Sequence, residues 1–516
     1  MRKPDVGLSE LRIKFVNLDI RNLYEYLWVI PAAVLLPVLT RPVPFVFHSN
    51  RALAIGFETL ALLQDGLSSY TYITYQESFA SLHLHAILGA PLFALGVTEA
   101  SRLVSFLAAI FATVLISRIA TRLFNNQVGI IAPLLLWLNP YFIRFAYYAW
   151  PESLSIALTT GAIYTALRSN ESTFWTGLTA CFIILGAFNH RWELTVLLPV
   201  VAIYISRSNM VAVNDRVVEF DVTDYSFQQL VGVGCATVLS YLVLTVVTGL
   251  QPANDQSQYF ITGQGTEALV TPEFWFHPIA TGRPGLFMIS HNWHLYLGVL
   301  CTLFLADRYV RTRSRWSLVL LTWVISGLSV PILLVGGFHG HLYYLWGVVA
   351  PVTIVAAVLV VHVVDFIAGS ISPSKVSPTF AAVAIVLAAA GGGIVYSQEA
   401  TWKASDPDRG VHYPAETTLT AAEEIRQYNV TSQEEVAFVG NWTGTNSEVG
   451  IDVPRLLLYS RVLIRGEQVW SITPGTDNYY PSSEVGPTFA PNESIVGECD
   501  VMIVRQPNQI DVRECS

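Results

Sequence analysis

The sequence predicts an α-helical polytopic membrane protein, and three observations carry that reading. Of its 516 residues, 53% are hydrophobic and only 13% are charged, with a positive mean hydropathy of +0.47. Apolar runs of roughly 17–22 residues recur along the chain, the length an α-helix needs to cross a hydrocarbon layer. An acidic, far more polar stretch follows the last of these runs. A soluble protein of this length would carry a more charged surface.

The runs fall near 23–40, 101–123, 128–147, 153–168, 173–188, 191–206, 229–250, 293–306, 317–336, 344–366 and 380–396. They give about eleven transmembrane helices in a domain covering 1–396. The charged stretch MRKPDVGLSELRIKFVNLDIRN precedes the first run, and no cleavage-like A-x-A follows it. With eleven spans, Arg2, Lys3, Arg12, Lys14, Arg21, Arg118, Arg122, Arg168, Arg207, Arg308, Arg311, Arg313, Arg315 and Lys375 all fall on one side. The positive-inside rule makes that side cytoplasmic, with the N-terminus there, and predicts a multi-pass protein of the cell membrane. A long first loop (41–99), the 251–292 loop, the FHGHLYYLWG turn and the tail (397–516) then lie outside.

The tail holds 18 Asp and Glu against 8 Lys and Arg, so the net charge of −9 belongs to it and not to the membrane part. Within it TTLTAAEEIRQYN reads as a helix with a Thr cap. EEVAFVG and CDVMIVR read as strands, and IDVPRLLLYSRVLIRG as a short helix followed by a strand. A small exterior acidic α/β domain is expected. Three N-x-S/T triplets, at Asn429, Asn441 and Asn492, suit an exterior tail. Cys499 and Cys515 are free to pair or not there, while Cys181, Cys235 and Cys301, inside apolar runs, read as small core residues. The chain has no P-loop, GxGxxG, CxxC or HExxH, so nothing in it points to a nucleotide or a nucleic acid partner.

Ionisable groups near a bilayer are costly unless paired or wet, and here they gather at the exterior ends of the spans. The first loop carries Arg51, Glu58, Asp65, Glu77, His83 and His85. Glu152 starts the fourth span, His190, Arg191 and Glu193 lie between the fifth and sixth, and His339, His341, Tyr343 and Tyr344 occupy the late turn. Each set has a plain structural reading. Glu58 and Asp65 suit the polar face of an interfacial helix. Glu152 suits a helix dipole, Arg191 a lipid phosphate or a pair with Glu193, and the histidines an ordinary interface. His83 and His85, two residues apart, point away from each other on a helix, which disfavours a metal site. Together, though, carboxylates that can take a proton from a hydroxyl and Arg/His groups that can hold a phosphate suit sugar transfer from a lipid-linked phosphate donor. Such a donor already stores the activation energy.

The stretch from LHAILGAPLFALGVTEASRLVSF through LNPYFIRFAYYAWPESLSIAL resembles the glycosyltransferases of the GT-C superfamily that use polyprenyl-phosphate sugars, the protein O-mannosyltransferases and lipid A aminoarabinose transferases. It has their glycine, Ser/Thr-Glu and Arg-Leu as Gly96-Val-Thr98-Glu99-Ala-Ser-Arg102-Leu103, and a short turn after Arg122-Leu-Phe124. Asn139-Pro-Tyr through Glu152 matches nPyfiryaxxaxxD, and HLYYLWGVVAP resembles the late hYyLpxxP turn. Two departures stand out: His48-Ser-Asn50-Arg51 where the family opens its loop with Asp, and Ser81-Leu-His83-Leu where it has HPPL.

The resemblance implies an inverting transfer with no cofactor and no metal. The catalytic carboxylate is Glu152 first, with Glu58 and Asp65 as substitutes. Arg191, His190, Arg102, His341 and Tyr344 are expected to bind the donor phosphate, and His83 and Glu77 the substrate. The partners are dolichyl-phosphate-mannose, a glycan or glycoprotein acceptor, and membrane lipid. An acidic exterior tail suits a haloarchaeal dolichyl-phosphate-mannose mannosyltransferase that adds the terminal sugar of an N-linked glycan on surface-layer glycoproteins. The competing readings are a transporter or lipid-linked sugar flippase, which calls for repeated halves, an oligosaccharyltransferase, which calls for Trp-Trp-Asp-x-Gly, and an inactive relative lacking the loop Asp.

Overall fold

The computed structural model describes residues 26–39, 84–97, 100–147, 151–189, 191–207, 211–214, 217–220, 224–248, 286–333, 345–369, 378–404, 415–428, 436–440, 469–472, 488–489, 501–506 and 509–514, with Thr59 and Leu63. Helices occupy the predicted apolar runs, beginning with α1 (Val29–Leu39); α2 (Leu84–Ala94) lies instead inside the stretch 41–99 expected as a loop, and α3 (Ala100–Leu123), α4 (Asn126–Leu138), α5 (Pro140–Tyr147), α6 (Pro151–Arg168) and α7 (Thr173–Asn189) follow. A 3-10 turn (Arg191–Val196) leads into α8 (Leu197–Arg207), followed by α9 (Tyr225–Thr248), α10 (Leu286–Thr312), α11 (Arg315–Leu333), α12 (Trp346–Gly369) and α13 (Pro378–Ala404). Strands β1 (Val211–Asn214) and β2 (Val217–Phe220) form an antiparallel hairpin between α8 and α9. By length and composition, two helices among the described residues, Ala100–Leu123 and Trp346–Phe366, can cross a membrane, or three spans if α4 and α5 count as one bent span.

Two runs differ from expectation. The single span predicted over 128–147 is broken, α4 and α5 meeting at 77°. Pro140 explains the break, since its ring pushes the preceding residue out of helical geometry, and Asn139 is extended (φ −83, ψ 109). Asn139 Oδ1 then caps α5 by accepting from the Tyr141 N–H at 3.0 Å. The run predicted at 191–206 begins with the tighter 3-10 turn before α8 starts.

The packing centres on α3, α4 and α6. Helix α3 packs on α4 and α6, α6 on α7, and α4 reaches across to α12 and α13. Locally, Asn125 Oδ1 accepts from the Val128 N–H at 3.0 Å, a side-chain cap for one of the orphan donors at the start of α4. Ser117 Oγ donates to Gly129 O at 2.7 Å and holds the α3–α4 hairpin closed. Trp137 is fully buried. Its Nε1 donates to Thr113 Oγ1 at 3.1 Å, and the ring meets Phe106 and Phe142 edge-on at 6.3 and 5.3 Å.

The ends of α3 and α6 are tied by charge. Glu171, in the turn after α6, pairs with Arg122 at 2.8 Å and with Arg168 at 2.5 Å. The Arg168 guanidinium lies 3.8 Å from the Trp175 ring centroid. Arg207 donates to Ala166 O at 2.8 Å, to Ser169 Oγ at 3.2 Å and to Leu167 O, which satisfies carbonyls that the end of α6 would leave open. Because the tie joins the C-terminal ends of α3 and α6, the two helices run parallel and begin at the same opposite end.

Cys301 is buried, but Cys181 and Cys235 are exposed, which corrects the expectation that all three lie in the core. In a membrane bundle an apolar face turned to lipid reads in sequence like one turned to protein.

Beyond α13, helix α14 (Ala415–Gln427) packs on a five-stranded sheet of order β5-β4-β3-β6-β7. Its strands are β3 (Val436–Gly440), β4 (Val469–Ile472), β5 (Thr488–Phe489), β6 (Val501–Gln506) and β7 (Gln509–Glu514). The pairs are parallel except β6–β7. Strands β3 and β6 lie in the predicted EEVAFVG and CDVMIVR runs. Helix α14 begins at Ala415, so Thr417 and Thr418 lie inside it and are not its cap. The 452–466 segment, the three glycosylation triplets, Cys499 and Cys515 lie outside the described residues.

Helices α11 and α12 cross where Gly327 and Gly347 face each other. A Cβ on Gly327 would meet the Gly347 carbonyl carbon at 2.5 Å, and one on Gly347 would meet Gly327 Cα at 2.9 Å. Gly327→Leu is therefore expected to lower the unfolding midpoint in detergent, by about 1–3 kcal/mol. Gly177→Ala, on α7 with open space around it, is expected to leave the midpoint unchanged or to raise it by about 0.5–1 kcal/mol. Equal effects of the two would contradict the close crossing.

The Arg168 hydrogen bond, with help from Arg122, holds the Glu171 carboxyl below the usual glutamate range. A group whose pKa is lower in the folded state stabilises fully above its unfolded value, and that contribution fades as pH falls through the lowered value. The tie should persist on acidification from pH 7 through the ordinary glutamate pKa and weaken only below it. Glu171→Gln should remove that acid-side component of the pH–stability curve while leaving the rest of the curve in place.

Candidate active site

The parallel start of α3 and α6 collects buried polar groups at one end of the bundle. Arg102, in the first turn of α3, is 1% exposed and is among the largest fully buried side chains. Helix α2 packs alongside, and its buried His85 places Nε2 3.0 Å from Ser105 Oγ, one turn along α3 from Arg102. Thr59 approaches the same helix, its Oγ1 donating to Ala86 O at 3.5 Å.

Helix α6 begins with Pro151, whose fixed φ suits a first helical position, followed by Glu152, where the helix dipole favours a carboxylate. Glu152 is 2% exposed, and Ser153 and Ser155 are buried with it. Behind this turn sits a second acid. Glu193 is fully buried. Its Oε1 accepts from Ser155 Oγ and from Asn189 Nδ2, the latter at 3.0 Å. Asn189 Nδ2 also lies 3.1 Å from Pro151 O and 3.0 Å from Ser155 Oγ. One amide thus joins the end of α7, the 3-10 turn and the first turn of α6.

Among the described residues, His85, Arg102, Glu152 and Glu193 are therefore buried here, in a bundle whose core is mostly apolar. Charges placed there are expensive unless paired or hydrogen-bonded, which makes this cluster a candidate functional site. The Glu152 carboxyl and the Arg102 guanidinium are thus both buried, in the first turns of two helices that pack together.

Two comparisons bear on this arrangement. Residues 85–216 match the model of the dolichyl-phosphate-mannose-protein mannosyltransferase family. The fold aligns with that of ArnT from Cupriavidus metallidurans bound to undecaprenyl phosphate, with a TM-score of 0.54 at 13% identity over 94% of this chain and 93% of that one. The two chains share a fold. The apo form of the same ArnT gives a TM-score of 0.51. The archaeal oligosaccharyltransferase AglB from Archaeoglobus fulgidus, in complex with an inhibitory peptide and a dolichol-phosphate, gives 0.45 at 15% identity over 86% of this chain. This chain spans 64% of that protein's length. A comparison with curated proteins yields no match.

Of the residues singled out in sequence, the fold brings Arg102 and Glu152 to the first turns of two packed helices. Glu58, Asp65, Glu77, His83, His190, His341 and Tyr344 lie outside the described residues, as does the side chain of Arg191, whose backbone opens the 3-10 turn. Sequence reasoning passed over Ser155 and Asn189, and treated Glu193 only as a companion of Arg191. Their spacing held the signal: Ser155 follows Glu152 by one turn, and Asn189 precedes Glu193 by four residues.

His294 of α10 was also passed over. Its Nε2 lies 2.6 Å from Asn139 Nδ2, and its ring stacks on Tyr141 at 5.1 Å. Since the Tyr141 N–H donates to Asn139 Oδ1, the Asn139 amide must donate, and His294 Nε2 accepts. This contact pins α10 to the α4–α5 break inside the Asn139-Pro-Tyr motif. His294→Leu is expected to cost about 1 kcal/mol in the unfolding midpoint by stranding the amide. His294→Gln, which keeps an acceptor, should recover part of that loss, and no difference between the two variants would remove the hydrogen bond from the account.

Proposed function

We propose that this chain is a membrane glycosyltransferase that moves a hexose, with mannose as the first candidate, from a dolichyl-phosphate donor onto a glycan or protein acceptor. The observation that carries the proposal is the burial of Glu152 and of Arg102 in the first turns of two helices that pack together, α6 and α3, both inside the segment that matches the dolichyl-phosphate-mannose-protein mannosyltransferase family.

In this reading Glu152 takes the proton from the acceptor hydroxyl as the hydroxyl oxygen attacks the anomeric carbon. The bond from that carbon to the phosphate oxygen breaks, the configuration inverts, and dolichyl phosphate leaves with the electron pair. Arg102, aided by Arg191, His190, His341 and Tyr344, offsets the negative charge on the departing phosphate. His83 and Glu77 contact the sugars, and Glu58 and Asp65 are the alternative bases. Residues 1–396 form the transfer domain and 397–516 an exterior acidic domain. The reaction proceeds at the exterior face, where the charge distribution of the loops places the first loop and the tail. The acceptor best matching that side is the N-linked glycan of surface-layer glycoproteins, and the sugar added is its terminal one.

The test is transfer of labelled mannose from dolichyl phosphate to membrane glycoprotein by the purified protein. Glu152→Gln should reduce kcat by about 10²–10⁴-fold, the range for loss of a general base, with the fold intact. Full activity in that variant would pass the role to Glu58 or Asp65. No transfer by wild-type protein from any polyprenyl-phosphate sugar would overturn the proposal.

A further inference from the structure

The Glu193 carboxyl takes no direct part in the reaction proposed above, yet its burial is among the most complete in the molecule. Glu193 is fully buried, and its neighbours are shaped around it. A Cβ on Gly186 would stand 2.6 Å from Glu193 Oε2, so any larger residue at that position of α7 would make the carboxyl shift. Oε1 receives two donors, Ser155 Oγ–H and Asn189 Nδ2–H. Asn189 in turn contacts Pro151 O and Ser155 Oγ. Pro151 and Ser155 flank Glu152 by one residue before and three after, so the contacts grip the helical turn that carries Glu152 from both sides.

A fully buried acid is costly to desolvate, and a neutral Leu would serve better if the need were only to fill the space. A carboxyl oxygen supplies something Leu lacks: an acceptor on which two donors from different elements converge. Without it, Ser155 Oγ–H would turn to a backbone carbonyl of the preceding turn, the usual partner of a helical Ser. The Asn189 amide would lose the contact that fixes its plane. The first turn of α6 would then be free to fray, because helix ends are held only by such outside partners.

We propose that Glu193 is a positioning residue: with Ser155 and Asn189 it locks the first turn of α6 against the end of α7, and so fixes the direction in which Glu152 presents its carboxyl. The proposal rests on the reading of Glu152 as the base for its consequence in catalysis, but the locking itself stands on geometry alone. Catalysis is sensitive to such locking, since a displacement of about 1 Å at a reacting group can lower a rate by about 10²-fold.

Two measurements on the full-length protein in detergent separate the parts. The first is hydrogen–deuterium exchange of the peptide covering 150–160. Glu193→Ala and Ser155→Ala should each raise its exchange by about 10-fold or more over wild type, whereas Glu193→Gln, whose amide oxygen can still accept from Ser155 and Asn189, should stay within about 3-fold. Unchanged exchange in both alanine variants overturns the proposal, whatever the protein catalyses. The second is the kinetics of sugar transfer. Glu193→Ala should lower kcat by about 10–100-fold with KM for the lipid donor unchanged, and Glu193→Gln should restore most of it. In a Glu152→Gln background the Glu193→Ala change should cost nothing more, because it acts through Glu152. A full additional loss in that background would mean that Glu193 acts independently of Glu152 and would refute the positioning role. If Glu193→Ala does not fold, Ser155→Ala, a smaller change, decides both measurements alone. Raised exchange without any transfer activity in wild type would support the lock and overturn only the glycosyltransferase reading.

Discussion

The arrangement at the polar end of this molecule follows from the cost of keeping ionisable groups inside a mostly apolar bundle. Burying Arg102, Glu152, Glu193 and His85 is tolerable only if hydrogen bonds replace the water each has lost. The chain meets that demand by bringing short polar side chains from neighbouring elements to them: Ser105 to His85, and Ser155 and Asn189 to Glu193. These contacts require α2, α3, α6, α7 and the 3-10 turn to sit in one relative arrangement. The polar end therefore specifies the packing of the helices as much as the packing supports the polar end.

The opposite end supplies the alignment. Arg122, Arg168 and Glu171 bind the C-terminal ends of α3 and α6 to one another, and Arg207 closes the open carbonyls of α6. Surface ion pairs contribute little stability each, but here their use is register. Two parallel helices joined at one end, with Trp137 filling the space between α3 and the α4–α5 break, have their first turns set at the other.

Much of this was legible in the sequence, and what was not has physical reasons. The helices fall where the apolar runs are because bilayer thickness imposes a length that composition alone reveals. The strands in EEVAFVG and CDVMIVR were legible from β-branched runs between turn residues. The break at Asn139 was missed because a run such as QVGIIAPLLLWLNPYFIRFAYY stays apolar across it, and only the pre-proline restriction at Asn139 marks it. The exposure of Cys181 and Cys235 was missed because hydropathy does not distinguish lipid from core. At the site, Glu152 stood out because charge is rare in such surroundings, and Arg102 through the resemblance of Gly96–Leu103 to a known motif. Ser155 and Asn189 did not, because serine and asparagine are ordinary helix-end residues until a buried acid is known to face them.

The reach of α4 across the bundle has a consequence for how the protein is made. Helix α4 belongs to the segment 85–216, yet it packs against α12 and α13, which begin at Trp346 and Pro378. During synthesis, at about 5–20 residues per second, the site-bearing helices leave the ribosome many seconds before the helices that cover α4 exist. Through that interval one flank of α4 has no protein neighbour and must rest against lipid or the insertion machinery. The polar end can assemble early, from helices close in sequence, while the enclosure around it waits for the last helices of the bundle. Truncation or slowing of translation after residue 216 would leave a site whose hydrogen bonds are in place and whose walls are not.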